Sequence, residues 1–201
     1  MNTDEHRFRL GGFAVFICVH LWFQVVFLQG AELSIGASVP DLTLTALVGT
    51  SHPLSSLQAA PVTVLVFLSA ECPVSNEYVT RLNALARDYA GRINFLGVNS
   101  NRNESLQQVR KHAAEYQLAF PVYKDPNNAA ADALGITVTP QAVVVDSRQR
   151  LQYRGRIDDS QKVPRVTRSD LRLAVDAVLA GRPAPAAETK AFGCTLKRVE
   201  K

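Results

Sequence analysis

Between Val62 and Ser69 the chain runs Val-Thr-Val-Leu-Val-Phe-Leu-Ser, with Thr63 the only polar interruption before the final serine. Such a run of β-branched and apolar residues is the pattern of a strand buried on both faces of a parallel sheet. From Val74 the apolar positions shift to helical spacing, at Val74, Tyr78, Leu82, Leu85 and Tyr89, which predicts a helix over 73–89. Pro73 suits its first turn, where a missing N–H costs nothing. After Gly91 a second apolar run, Ile93 to Val98, predicts a strand parallel to the first, because strand, helix and strand in close succession form a right-handed crossover.

The same reading extends in both directions. Ser38 to Leu47 alternates like an edge strand, with Gly49-Thr50 and His52-Pro53 as the turn behind it. Asn99 to Asn103 follows the second strand at the edge where parallel sheets bind ligands, and reads either as a segment facing Cys72 or as a polar turn in which Asn103 caps a helix carrying Leu106, Val109, Ala113 and Tyr116. Ala119 to Tyr123 is a short extended segment, and Asp125-Pro126 opens a helix that Gly135 closes. Pro140 stands immediately before a strongly β run, where a proline begins a strand and cannot sit inside one, and residues 141–155 read as an antiparallel hairpin. A last amphipathic helix spans Ser169 to Ala180 and ends at Gly181. There is no internal repeat and no second core, so the expected architecture is one α/β domain over 32–181 with extensions at both ends.

Composition adds two constraints. The net charge of +4 is uneven: residues 32–146 hold 7 Lys/Arg against 10 Asp/Glu, whereas residues 147–201 hold 13 against 6. No aromatics interleave with that basic excess, which argues for a solvated surface and against a nucleic-acid groove. At the other end, Arg7 and Arg9 precede Leu10 to Leu28, nineteen residues free of Asp, Glu, Lys and Arg. Residues 1–31 therefore read as an export signal or an uncleaved membrane anchor, with attachment through residues 10–28. On either alternative the globular part lies outside the cytoplasm, periplasmic or otherwise extracytoplasmic.

Export changes the meaning of the three cysteines. Cys18 belongs to the leader, which leaves Cys72 and Cys194. Cys72 sits where the buried strand hands over to a helix N-terminus, and the free N–H groups and dipole there favour thiolate over thiol. A dipole contribution of about 0.3–2 kcal/mol lowers the pKa by at most about 1.5. Further lowering needs hydrogen bonds, for which the Ser75 hydroxyl is the nearest donor. The plainer alternatives are an inert buried thiol or a structural Cys72–Cys194 disulfide, worth about 5 kcal/mol on the loop-entropy account. Against the staple, Cys194 follows the Pro/Ala-rich segment Arg182 to Ala187, a linker composition that suggests a mobile tail over 182–201 and so a resolving thiol. His52 and His112 have no histidine or cysteine at ligand spacing, so neither a metal nor another cofactor is expected.

With these features in place, the chain resembles the thioredoxin-fold redoxins, the broad group of thioredoxin-like reductases and alkyl hydroperoxide reductase/thiol-specific antioxidant proteins. The resemblance covers about residues 36–180 and rests on Phe67-Leu-Ser-Ala-Glu-Cys72-Pro-Val-Ser75 and on Val138-Thr139-Pro140 before Val143-Val-Val-Asp146. It implies a three-layer α/β sandwich with a central mixed sheet flanked by helices, Cys72 as the attacking cysteine, and Thr139-Pro140 as a cis-proline loop that docks substrate beside it. Ser75 stands where thioredoxins carry their second cysteine. A hydroxyl cannot close a disulfide, so the resemblance makes Cys194 the candidate resolver.

The expected activity is that of a thiol-disulfide oxidoreductase acting on a disulfide- or sulfenate-bearing protein with an external thiol as electron donor. A peroxiredoxin-like peroxidase, with peroxide as substrate, is the second reading, supported by Ser69 three residues before Cys72. Leu65 and Pro140 stand against it, where such enzymes carry a proline and an arginine. A redox-inactive thioredoxin-fold binding module is the third.

Overall fold

The computed structural model describes residues 32–200; the leader and its Cys18 lie outside them. Along the chain come β1 (Thr43–Ala46), β2 (Ser51–Pro53), β3 (Thr63–Phe67), α1 (Pro73–Asp88), β4 (Asn94–Asn99), α2 (Leu106–Glu115), β5 (Val122–Lys124), α3 (Ala129–Ala133), β6 (Val138–Thr139), β7 (Gln141–Val145), β8 (Leu151–Gly155), α4 (Asp170–Leu179) and β9 (Cys194–Thr195). Seven strands form one mixed sheet in the order β2-β1-β5-β4-β3-β7-β8, and β6 pairs with β9 in a second sheet of two strands. Strands β3, β4 and β5 run parallel, with β7 antiparallel to β3.

Because β3 is central, it is covered on both faces, as its unbroken apolar run requires. Val64 and Val66 face one core with Tyr78, Leu82 and Leu85 of α1, Val109 of α2, and Leu171 and Val175 of α4. Leu65 and Phe67 face the other, with Leu44, Leu54, Ala130, Leu134 and Ile136. The result is the three-layer α/β sandwich that the resemblance implies.

The differences are local. The alternating stretch 38–47 contributes only four residues of strand, and they lie inside the sheet; the edge is β2, built from the Ser51–Pro53 segment expected to turn. Helix α2 is capped by Ser105 through a reciprocal Ser105/Gln108 capping box. Asn103 instead donates its amide to Glu71 Oε2 at 2.7 Å. The helix after Asp125 is split: a single 3-10 turn and two left-handed residues, Asn127 and Asn128, precede α3, while the Asp125 carboxylate accepts from the N–H groups of Ala130 and Ala131, each at 2.9 Å.

The largest departure is the C-terminal tail, which is docked on the domain. Its backbone pairs with the free edge of β8, where Arg154 N–H donates to Ala187 O at 2.9 Å and Thr189 N–H donates to Arg154 O at 3.1 Å. Gly155, at φ +159°, makes that approach feasible, since a Cβ there would stand 2.0 Å from Thr189 Oγ1. The buried Arg154 side chain then holds three segments together, donating to Leu33 O and Leu134 O and pairing with Glu32 and Glu188. A linker composition signals mobility only where no edge is available to it; here an exposed strand edge and a buried guanidinium supply the partners.

Candidate functional site

Parallel strands deliver their C-terminal ends to one edge of a sheet, and the antiparallel β7 begins at that same edge. The loop after β3, the loop after β4 and the Thr139-Pro140 turn before β7 therefore converge. All five residues singled out in the sequence meet there: Cys72, Ser75, Thr139, Pro140 and Cys194.

Cys72 is the N-cap of α1, with extended backbone (φ −87°, ψ 112°), and Pro73 is the first helical residue. Its sulfur accepts the Ser75 N–H at 3.4 Å, and in the thiol form it donates to Thr139 O at 3.2 Å. The Thr139-Pro140 peptide is cis, as the resemblance implied. Ser75 is itself buried and accepts the Ser69 N–H at 3.4 Å through its hydroxyl oxygen.

Cys194 arrives from the far end of the chain. Strand β9 pairs antiparallel with β6, placing Cys194 opposite Thr139 and Thr195 opposite Val138, and Leu196 N–H donates to Thr137 O at 3.0 Å. Gly193 permits this contact: at φ +154° its backbone lies so close to Thr139 that a Cβ would stand 2.0 Å from the Thr139 carbonyl oxygen. That register sets Cys194 beside Thr139, whose carbonyl accepts the Cys72 thiol, and each of the two thiols influences the other's ionisation. Both cysteines are free thiols.

Burial is the largest influence on the Cys72 thiol and pushes its pKa up. Against it act the Cys194 thiol, the Ser75 N–H and hydroxyl, and the Cys194 N–H, which together bring the value below that of an ordinary thiol. Cys194 moves the other way, pushed up to about 11 by burial and then by its hydrogen bond to Cys72 and the Cys72 charge; the Val74 N–H and Lys197 oppose this. The two thiols are thus pushed in opposite directions, Cys72 toward ionisation and Cys194 away from it.

A second group at this edge was not anticipated. Glu104, only 2% exposed, accepts hydrogen bonds from the Ser69 hydroxyl, the Asn99 amide and the Ala70 N–H, the last at 2.8 Å. It fixes the loop that leads into Cys72, and it commits the Ser69 hydroxyl away from the sulfur. Lys124 completes the network by donating to Asn99 Oδ1 at 2.6 Å; burial lowers its pKa, opposed by Glu104 and Asp125. The tail is seated on the same loop, with Lys197 N–H donating to Asn101 Oδ1 at 2.8 Å and Arg102 N–H to Lys197 O at 2.9 Å. In sequence, Glu104 is one acidic residue in a polar turn, and nothing in its spacing marks it as buried. His112 is likewise structural, its Nε2 2.7 Å from Asn76 Oδ1 and its pKa lowered by burial.

Comparison with known proteins agrees with this fold. The sequence profile of the AhpC/TSA family matches residues 35–154. The chain is 26% identical over 118 residues to the thioredoxin-like protein YneN of Bacillus subtilis, covering 58% of this chain and 68% of that one. It is 24% identical over 127 residues to the thiol-disulfide oxidoreductase ResA of Geobacillus thermodenitrificans, covering 63% and 71% respectively. Among solved structures, a hypothetical protein of Sinorhizobium meliloti superposes with a TM-score of 0.76 at 30% identity, covering 85% of this chain and 98% of the other. An uncharacterised conserved protein of Geobacillus kaustophilus does so with the same TM-score at 29% identity, covering 85% and 95%. A coverage of 85% exceeds the share that residues 35–154 make up, so the likeness to these two structures reaches beyond the family domain.

Proposed function

The chain belongs to the AhpC/TSA family of thioredoxin-fold redoxins, and from that premise we propose that it is an exported thiol-disulfide oxidoreductase with Cys72 as nucleophile and Cys194 as resolving thiol. The observation that carries this reading is the β6–β9 pair, which sets Cys194 opposite Thr139, the residue whose carbonyl accepts the Cys72 thiol. The relatives described as thioredoxin-like and as a thiol-disulfide oxidoreductase point to the same chemistry, with protein thiols and disulfides as the general class of substrate. Export rests on Arg7, Arg9 and the apolar stretch Leu10 to Leu28.

In the proposed cycle the Cys72 thiolate attacks one sulfur of a substrate disulfide. The substrate S–S bond breaks, its electron pair leaves on the distal sulfur as a thiolate, and Cys72 is joined to substrate in a mixed disulfide. Cys194, deprotonated as it attacks, then displaces the substrate sulfur from Cys72, giving a Cys72–Cys194 disulfide and a fully reduced substrate dithiol. Two electrons pass from the protein to the substrate. The Ser75 N–H and hydroxyl stabilise the thiolate before attack, and the Thr139-Pro140 turn, whose Thr139 pairs with Cys194 of β9, stands beside Cys72 as the substrate-docking loop. Cys194 takes over the role that Ser75 cannot perform.

The test is a titration of thiolate ultraviolet absorbance in the purified protein and in Cys72→Ser, paired with reduction of a protein disulfide. The expected result is a transition below the free-thiol value of about 8.5 that disappears in Cys72→Ser together with the activity. A Cys72 transition at or above that value, or turnover that survives Cys72→Ser, refutes the proposal.

A further inference from the structure

We propose that the segment between β8 and α4 is a docking surface for the substrate protein, and that it selects substrates carrying acidic residues a few positions from the attacked disulfide. This role presupposes Cys72 as the nucleophile, as proposed above, and adds to that chemistry a means of choosing substrates. The segment spans residues 156–169 and contains a 3-10 turn at Val163–Arg165. Connections of this length are uncommon in a compact domain and usually carry function.

The base of the segment is fixed from several sides. Arg81 of α1 donates to Ser160 O at 3.1 Å and to Gln161 O at 2.7 Å, and the Gln161 amide donates to Glu77 Oε2 at 2.6 Å. Asp159 closes the loop: its N–H donates to Arg168 O at 3.0 Å, and its carboxylate accepts from the Thr167 N–H at 2.9 Å and from the Thr167 hydroxyl. A tip held in this way meets a partner without the entropy cost of first being ordered.

Charge is sorted between base and tip. Asp158 and Asp170 are buried and paired, the first with Arg81 and the second with Arg156 and Arg168, while Asp159 is taken up by Thr167. At the tip, Lys162, Val163, Pro164 and Arg165 are all exposed, Val163 by 64%. Among the described residues neither Lys162 nor Arg165 has a carboxylate partner. Two unpaired cations on either side of an apolar pair complement a segment that brings carboxylates.

Helix α1 connects this surface to the thiol. Pro73 and Glu77 are both exposed and lie one turn apart on the same face of the helix. Pro73 follows Cys72 directly, and Glu77 meets Gln161, the neighbour of Lys162. Cys72 and Glu77 are separated by about 7.5 Å of helix axis, and Gln161 and Lys162 by about 3.8 Å of backbone. An extended chain advances about 3.3 Å per residue, so carboxylates about three to five residues from the attacked cysteine reach Lys162 and Arg165.

The probes are synthetic peptides with a single cysteine blocked as a disulfide with thionitrobenzoate, carrying glutamates, lysines or glutamines about three to five residues away on both sides. Attack of the Cys72 thiolate on the peptide sulfur forms a mixed disulfide, and the electron pair of the broken S–S bond leaves on the coloured thionitrobenzoate. At low salt the wild-type chain is expected to react at least about fivefold faster with the glutamate peptide than with the lysine peptide, a preference that about 1 M salt erases. Lys162→Glu/Arg165→Glu should abolish or invert the preference, while the rate of the glutamine peptide changes far less. Arg148→Glu/Arg182→Glu, an equal change of charge beyond the C-terminal ends of β7 and α4, should keep it. Equal rates for the two charged peptides in wild type, a preference retained in the first variant, or the same loss in both variants overturns the assignment of this surface. Colour release by the wild-type chain no faster than by Cys72→Ser removes the nucleophile itself, and the docking role with it.

Discussion

Replacing Gly193 with alanine tests whether the close approach of tail to active edge is what makes Cys194 available. The added Cβ would stand 2.0 Å from Thr139 O and 3.2 Å from Pro140 Cδ. A carbon in contact with a carbonyl oxygen needs more than 3 Å, so β9 must withdraw by about 1 Å or more. Neither neighbour can yield cheaply, because Thr139 and Pro140 are backbone-locked between β6 and β7. Withdrawal costs about two main-chain hydrogen bonds of the strand pair, each worth about 0.5–1.5 kcal/mol net. The resulting 1–3 kcal/mol lowers the effective concentration of Cys194 at Cys72 by about 5- to 150-fold. The assay is equilibration of Gly193→Ala and wild type in glutathione redox buffers, with the Cys72–Cys194 disulfide quantified by mass spectrometry after acid quench. Gly193 lies outside the seven-stranded sheet and its helices, so far-ultraviolet circular dichroism should be unchanged. Equal disulfide formation in variant and wild type would show that the Gly193–Thr139 approach does not govern the pairing.

Ser75→Ala removes one of the donors that hold the Cys72 pKa down and leaves the Ser75 backbone N–H in place. The thiolate transition should move upward and disulfide exchange near neutral pH should slow, both read by ultraviolet titration and stopped-flow exchange; an unmoved transition would remove Ser75 from the site. The sign for stability follows from the same shift. A thiol whose folded pKa lies below its unfolded value of about 8.5 contributes stability that is fully present above that unfolded value and is lost as pH falls through the folded one. Ser75→Ala should shrink this gain, as measured by denaturant unfolding across that window in the reduced state. Glu104→Gln keeps the shape of the buried carboxylate but presents an amide where Ser69, Ala70 and Asn99 donate. At least one buried donor then faces another donor, at a cost of about 1–3 kcal/mol, and chemical denaturation should show the loss; a variant as stable as wild type would refute the structural role of Glu104.

What could be read in the sequence depended on how far each feature reaches along the chain. The burial of β3, the length of α1 and the β7–β8 hairpin were legible because each leaves a period-2, period-3.6 or unbroken apolar signature within a dozen residues. Cys72 was legible because a strand-to-helix corner is defined by the residues on either side of it. Ser105 was missed as the cap of α2 because Asn103 offers a similar side chain two residues earlier, and only the backbone path decides which one reaches the first turn.

The partner of Cys72 was of another kind. Residue type and the resemblance named Cys194 as a candidate, but its composition-based setting pointed to a mobile tail. Its docked position depends on contacts among residues far apart in sequence: Gly193 against Thr139, Thr189 against Gly155, Lys197 against Asn101. The burial of Glu104 likewise follows from the convergence of parallel strand ends, which brings the loops after β3 and β4 together. The chain by itself determined a buried strand, a helix and a thiol at their junction, because local periodicity and helix-end electrostatics are properties of neighbouring residues. Only the tertiary structure decided which sulfur and which carboxylate face that junction, because a free strand edge and a shared sheet end exist only once the whole sheet has formed.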